Sequence, residues 1–291
     1  MPFSFAPLSL ERVDEYRQLY ARCPRKSAWY SFGSLWAWRA IHGFEWAFED
    51  DMCWIRTRNG ALWAPVGAWD AVDWQKILPR LFPDGSVFFY VPDVLASLWK
   101  EIFRGDVTAG DDRSQWEYLH SVRELVELKG NRFSRKRSHI VQFVRNHPFH
   151  YRSLGEPDRD FILEGQRLWM EEQPPSPSLE RENLAVHEMV NQWSRIPGLL
   201  GGGLEVGGRP AAYTIGEALS NDTIVIHFEK ALARYNGAYQ AINRMFLEKS
   251  ASSFTIVNRE EDLGNEGMRV AKMSYHPVDF LRKCTLSWFP R

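Results

Sequence analysis

The last third of the chain carries the pattern that most narrows its fold. Two apolar runs, Gly201–Val206 and Arg209–Leu219, flank Gly207-Gly208, and a third, Asp222–Lys230, holds the β-branched stretch Thr223 to Ile226. Neighbouring runs of this kind around a glycine pair predict antiparallel strands. A glycine-containing turn then leads into a helix over Gly237–Lys249. A strand over Phe254–Asn258, a helix over Glu266–Ser274 and a strand over Lys283–Phe289 complete the series. Hairpin, strand, helix and strand in that order predict a mixed sheet flanked by helices, an α/β (α+β) architecture.

The first half repeats the plan. Ser9 is a candidate cap for a helix whose apolar positions are Leu10, Val13, Tyr16, Leu19 and Tyr20, and a second helix is expected over Phe32–Ile41. Strands follow at Phe44–Phe48, Met52–Thr57 and Ala61–Val66, with Asn59-Gly60 as a turn. A helix over Val72–Phe82, a strand over Val87–Val91, a helix over Asp93–Phe103 and a strand over Gln115–Leu125 close this half. The second half opens with a helix ending near Asn146, a strand at Phe149–Ser153 and helices over Asp158–Glu172 and Leu179–Trp193, the last two separated by a proline-rich loop at 173–178. With 291 residues available, the expectation is one fold used twice: a domain over 1–129 and another over 130–291.

Composition excludes several classes. Hydrophobic residues at 44% are enough for packed cores, so global disorder is excluded. Three scattered cysteines, Cys23, Cys53 and Cys284, form no disulfide framework or zinc ribbon and suit a reducing cytoplasm. The N-terminal sequence has no positively charged leader region, so no signal peptide is expected. The most apolar stretch, Ala61–Trp69, is far shorter than the roughly 20 residues that span a bilayer. No histidine pair has metal-ligand spacing, and no metal is expected. Ten of the thirteen tryptophans fall in the first 116 residues, where an aromatic core is a simpler reading than a binding groove.

The net charge of −1 hides an asymmetry. From Lys129 to Gly155 there are seven positive residues and no acid, and the remaining 29 positive residues face 37 negative ones. Arg132, Arg135, Lys136 and His139 fall along one side of a helix, which suits a phosphate-bearing partner as well as a solvated face. A second constellation runs from Ile226 to Arg244. A strand ends at Glu229-Lys230, and Arg234-Tyr-Asn-Gly237-Ala238-Tyr239 precedes a helix whose N-terminal N–H groups could receive an anion. The segment partly matches the R-x-x-G-x-[GA] loop that holds coenzyme A pyrophosphate, with Tyr239 at the last small position. A third runs from Asn258 to Pro277. Here Glu260, Glu261 and Asp262 cluster after a strand, Arg269 and Lys272 share a helix face, and Tyr275 and His276 follow. Acyl transfer needs a base and cations or N–H groups for the oxyanion, and those residue types are present; an ion-paired cap on the sheet uses the same ones.

Together, the run Leu128–Phe143, the group His227–Lys230 with Tyr235–Gln240 and Asn243, and the group Asn258–Gly264 with Gly267, Arg269, Lys272 and Tyr275–Pro277 resemble the C-terminal domain of phosphatidylglycerol lysyltransferases. The resemblance implies a tandem GNAT-like acyltransferase fold with two mixed, mainly antiparallel sheets flanked by helices, shared with Fem-type aminoacyltransferases. It implies transfer of an acyl or aminoacyl group to an amine or hydroxyl, with aminoacyl-tRNA or acyl-CoA as donor and a small-molecule, peptide or lipid-headgroup acceptor. Asp262 or Glu260 is the expected base, with Glu229 as a further acid. The Gly237–Ala238 backbone is the expected anion site. Arg132, Lys136 and Arg137 are expected to hold donor RNA or phosphate, and Arg269 and Lys272 to bind acidic groups. Lys230, Arg234, Tyr235, Asn243, Asn258, Arg259, Tyr275 and His276 complete the expected binding set. Two other readings stand beside this one: a coenzyme A-dependent N-acyltransferase, and a non-catalytic binding module on the same fold. An enzyme requires the three motifs to converge on one site.

Overall fold

The computed structural model describes residues 4–291. The chain divides into two compact units: residues 1–118 with 261–270 and 280–291, and residues 119–260 with 271–279. The division therefore falls at Tyr118/Leu119 rather than at 129/130, and two C-terminal segments return to the first unit. A linear reading cannot anticipate that return, because the strands involved pair over more than 150 residues of sequence.

The first unit contains β1 (Ala6–Pro7), α1 (Val13–Arg22), α2 (Phe32–His42), β2 (Glu45–Glu49), β3 (Met52–Arg56), β4 (Leu62–Trp63), β5 (Val66–Gly67), α3 (Trp74–Leu81), β6 (Ser86–Pro92), α4 (Asp93–Ile102) and β7 (Val107–Asp111). The chain passes on through β8 (Glu117–Ser121), α5 (Val122–Glu127), α6 (Ser134–Asn146), β9 (Phe149–Leu154), α7 (Arg159–Glu171), α8 (Pro177–Val190), β10 (Leu199–Val206), β11 (Arg209–Ala218), β12 (Thr223–Ala231), α9 (Ala238–Lys249) and β13 (Ile256–Asn258). It ends with α10 (Glu266–Met273), β14 (Asp279–Leu281) and β15 (Lys283–Trp288). One sheet has the order β1-β2-β3-β4-β6-β15-β7 with β5 paired to β3; the other has the order β14-β8-β13-β12-β11-β10-β9. Parallel pairs occur at β4/β6 and β12/β13, while β2/β3, β6/β15, β7/β15, β10/β11 and β11/β12 are antiparallel, so both sheets are mixed as expected.

Local chemistry explains most boundaries. Ser31 caps α2 by accepting the Ser34 N–H, and Gly43 ends it in the left-handed region. The turn at Asn59-Gly60 forms, with the Thr57 N–H bonded to the Ala61 carbonyl, but the expected strand over 61–66 splits into β4 and β5. The run over 115–125 is a strand only to Ser121. Ser121 then caps α5 through the Glu124 N–H. The proline-rich loop stops earlier than expected: Ser176 caps α8 and Pro177 is its first residue, where a missing N–H costs nothing.

The first unit has an aromatic core, with Trp46, Trp54, Trp63, Trp74, Trp99 and Trp288 fully buried. In the second unit α9 lies at the centre. Phe246 and Leu247 pack with Ile224, Ile226 and Val257, and Ala238, Ala241 and Ile242 pack with Ala231 and Phe143.

Candidate functional site at the ends of two parallel strands

In the second unit, β12 and β13 pair in parallel for three residues, Thr223–Val225 against Ile256–Asn258. Then they part: β13 ends at Asn258, while β12 continues to Ala231. Diverging carboxyl ends of parallel strands are where open α/β sheets place ligands. A bulge lies at the same level. Phe228 pairs with Ile215 and Ile226 with Gly216, so His227 is an inserted residue with no partner opposite it. Bulges of this kind re-aim side chains.

Five expected residues meet here. Glu229 Oε2 accepts from Asn243 Nδ2 at 2.9 Å, and its Oε1 from Arg259 Nη2 at 2.9 Å. The Arg259 guanidinium lies 4.9 Å from the centre of the Tyr275 ring, and Lys136 Nζ lies 4.1 Å from the same centre. Lys136 also donates to Ser274 Oγ at 2.7 Å. Burial pushes the Tyr275 phenol up to about 12. Burial, and then the charges of Arg259 and Arg135, lower the Lys136 ammonium. Two cations thus share one aromatic ring, and the nearby carboxylate is bonded to only one of them, an arrangement that favours an added anion.

Beside this group stands a second. His227 Nδ1 lies 2.9 Å from Glu260 Oε1, and its Nε2 lies 2.9 Å from Glu217 Oε2. The imidazole is 3% exposed. Burial works against its charge, but the hydrogen bonds that the ring donates to both carboxylates, with their negative charges, outweigh that and raise it to about 9. Glu260 adopts φ 55°, and its N–H is taken by Asn258 Oδ1 at 2.8 Å. Its side chain is 29% exposed, and Oε2 has no hydrogen-bond partner among the described residues.

Other expected residues lie apart from this group. Asp262 belongs to the first unit, not to the Glu260 site. It is fully buried; Arg269 donates to both its oxygens at 2.9 and 3.0 Å, with Tyr118 Oη at 2.6 Å and the Gly264 N–H at 2.9 Å. Burial opposes its charge, but these donors bring it down to about 2. Both Asp262 oxygens are thus engaged by donors, unlike Glu260 Oε2. Arg269 is the ion-pair partner of Asp262.

Gly237 does not make room for a ligand. A Cβ there would collide with the His139 carbonyl, so α6 packs directly against the glycine. Ala238 is buried, and its N–H is bonded to the Tyr235 carbonyl at 2.9 Å. The glycine is required by helix packing and by φ 89°. Gly237→Ala is therefore expected to destabilise the protein by about 3 kcal/mol, from overpacking plus a left-handed backbone, read as a lower urea midpoint. An unchanged midpoint contradicts this account of the glycine.

In the basic segment, Arg132 pairs with Glu124 at 2.7 Å, and Arg137 donates to the Leu128 and Gly130 carbonyls, closing the turn before α6. Of the three expected phosphate binders, only Lys136 points to the site. Lys230, adjacent to Glu229 on the strand, faces the other side of the sheet: it bonds Glu182 at 2.7 Å and lies 4.0 Å from the Trp169 ring centre. Arg234 is near Glu172 at 3.7 Å, Tyr235 packs edge-on to His147, and His276 packs edge-on to Phe133. Lys272 contributes its backbone carbonyl, 3.2 Å from His120 Nε2.

Sequence reasoning assigned no role to His227 or Glu217. His227 stood inside a quoted motif, but Glu217 gave no signal. Clefts of about 540 Å3, lined by Glu15, Arg22 and Asp51 among others, and about 430 Å3, lined by Ser121, Glu124 and Arg132 among others, open elsewhere, and neither includes Glu229, Arg259 or Glu260.

Two mixed sheets flanked by helices, one per unit, make this a tandem GNAT-like fold. A tandem GNAT protein from the clavulanic acid biosynthesis pathway aligns over 99% of both chains, with a TM-score of 0.52 and 10% identity. FemX aligns over 99% of this chain and 97% of its own, with a TM-score of 0.63 and 5% identity. A conserved protein of unknown function from Bacteroides thetaiotaomicron VPI-5482 aligns over 99% of this chain and 100% of its own, with a TM-score of 0.88 and 26% identity. The chain belongs to the family described as phosphatidylglycerol lysyltransferase, C-terminal, which it matches over residues 20–286. No match is found among curated proteins. Among the described residues, no helix is long and apolar enough to cross a membrane.

Proposed function

We propose that the chain transfers an aminoacyl group from aminoacyl-tRNA to an amine or hydroxyl acceptor, with the chemistry at the carboxyl ends of β12 and β13. One observation carries this reading. Glu260, a partly exposed carboxylate with a free oxygen, directly follows Arg259, which shares the Tyr275 ring with Lys136. Family membership supports the reaction class.

In this scheme Glu260 Oε2 takes the proton of the acceptor O–H or N–H as that atom bonds to the acyl carbon. The ester bond to the donor ribose oxygen breaks, and that oxygen takes the proton back from Glu260. Lys136 and Arg259 bind donor phosphate or the developing oxyanion. The acceptor is a small molecule, peptide or lipid headgroup that carries that amine or hydroxyl. A cytoplasmic location accords with a tRNA donor.

The coenzyme A reading has less support, because α6 occupies the space beside Gly237 and the Ala238 N–H is already bonded. The binding-module reading draws on the Arg259–Glu229 pair, which is closed at 2.9 Å.

Incubating the protein with a pool of charged tRNAs and, separately, with acyl-CoAs tests the proposal. Transfer from charged tRNA is expected. Binding of tRNA should fall steeply with salt, and Lys136→Ala should reduce the slope of log affinity against log salt by about 1. Transfer from acyl-CoA alone contradicts the reading. Tight tRNA binding without any transfer favours the binding module.

A further inference from the structure

We infer that His227 and Glu217 form, with Glu260, a carboxylate–imidazolium–carboxylate relay that positions Glu260 for proton transfer, His227 being the positioning residue. This rests on the transferase reading for its purpose, but the relay itself is a statement about geometry.

Both imidazole nitrogens lie 2.9 Å from a carboxylate oxygen. A neutral imidazole has one N–H, so one of those contacts would set a lone pair against a carboxylate oxygen. The arrangement is satisfied when both nitrogens carry protons. The charged groups that face the ring are Glu217 from β11 and Glu260 from the segment after β13. Glu217 is 5% exposed, so its charge has little access to solvent. Glu260, by contrast, reaches solvent.

Three features fix the far end of the relay. The β12 bulge turns His227 toward both carboxylates. Glu260 holds a left-handed backbone that a non-glycine residue seldom adopts. Asn258, itself fully buried, takes the Glu260 N–H and steadies that conformation. Together they hold Oε1 against the imidazolium and leave Oε2 open. When Oε2 takes the acceptor proton, the bond from His227 Nδ1 to Oε1 keeps the carboxyl group in place, and returning that proton to the leaving oxygen restores the starting state.

The two amide replacements of the histidine separate its contacts. His227→Asn keeps a donor near the Nδ1 position and so keeps the link to Glu260. His227→Gln keeps one near Nε2 and so keeps the link to Glu217.

The test is nitrogen NMR of the protein labelled at its eight histidines, recorded against pH for the wild type and for Glu260→Gln, with Glu217→Gln as a second variant. Wild-type His227 is expected to show two protonated nitrogens through pH 8, and each substitution to lower its midpoint by about one pH unit or more. Glu260 is the more exposed carboxylate, so Glu260→Gln should fold even where Glu217→Gln does not. A wild-type midpoint near 6.5, or one unmoved in Glu260→Gln, overturns the relay.

Once a donor is in hand, His227→Gln should lower kcat more than KM, and His227→Asn should recover part of the loss. Equal kcat in both variants and the wild type overturns the positioning role. If the NMR result holds and no transfer is found with any donor, the transferase reading fails and the relay stands.

Discussion

Replacing Lys283 by methionine is expected to lower the unfolding free energy by about 3–5 kcal/mol, because it leaves buried carboxylates without their cation. Lys283 lies in β15 within the first unit and is 1% exposed. Its Nζ bonds Glu117 Oε1 at 2.8 Å and Glu261 Oε2 at 3.3 Å. Glu117 also accepts from the Ser27 hydroxyl and, at 3.0 Å, from the Ala28 N–H; Glu261 accepts from Trp29 Nε1 at 2.6 Å. Removing the cation alone exposes the cost of holding two carboxylates in an apolar setting. Replacing all three together, as Lys283→Met with Glu117→Met and Glu261→Gln, should recover much of the loss, since no unpaired charge is then left buried and the new amide oxygen at position 261 can still accept from Trp29.

The pH dependence has a definite sign. Burial opposes the Glu117 charge, but Lys283 more than compensates and holds that carboxyl below its ordinary 4.5. Its contribution is present above pH 4.5 and is lost as pH falls through the folded value. Lys283 is held above its ordinary 10.5 by the same two carboxylates, against burial, so its contribution is present below pH 10.5 and is lost only as pH rises through the folded value. The gap between wild type and Lys283→Met should be widest on the alkaline side of neutrality, below about pH 10, and should narrow as pH falls, beginning above pH 4.5, because in the variant burial is unopposed and the carboxylates take up protons early. Urea unfolding followed by tryptophan fluorescence reads this well, because ten of the thirteen tryptophans lie in the first 116 residues. A single variant within about 1 kcal/mol of wild type contradicts the account.

The second large effect concerns rate. Glu260→Gln should slow transfer by about 100- to 10,000-fold, the range that a positioned general base contributes, while leaving tRNA affinity nearly unchanged. The amide keeps the shape and an oxygen for the His227 contact, but it cannot take a proton. Asp262→Asn makes the contrast. Its carboxylate is bonded to Arg269, Tyr118 and the Gly264 N–H, so its loss should appear in stability before it appears in kcat. The reverse pattern, with Asp262→Asn stable but inactive and Glu260→Gln active, contradicts the assignment of the base.

The elements most legible in the sequence were those built from local pattern. The hairpin around Gly207-Gly208, the β-branched strand β12 and the helix α9 are each marked by their own periodicity and turn residues. Strand β7 was not legible: Val107 is followed by Thr, Ala, Gly and Asp, and the strand exists because β15, near the end of the chain, pairs with it. The division lies before Gly130 because β8 pairs with β13, and Val122 and Leu125 of α5 pack with Phe246 and Leu247 of the second unit. At the site, Lys136, Glu229, Asn243, Arg259 and Tyr275 could be picked out by residue type, and the structure brings them together. The part played by His227 depends on a bulge and on Glu217 of the adjoining strand, neither of which has a signature in one sequence. Gly237 was visible as a special residue, but its reason, the His139 carbonyl of a packed helix, was not.

The most direct test of where the chemistry lies is a crystal structure with a non-hydrolysable aminoacyl-adenosine amide. The account predicts the amide carbonyl group beside Glu260, with the nucleotide toward Arg259 and Lys136. Ligand bound only elsewhere, for example in the cleft between Glu15 and Asp51 of the first unit, would contradict it.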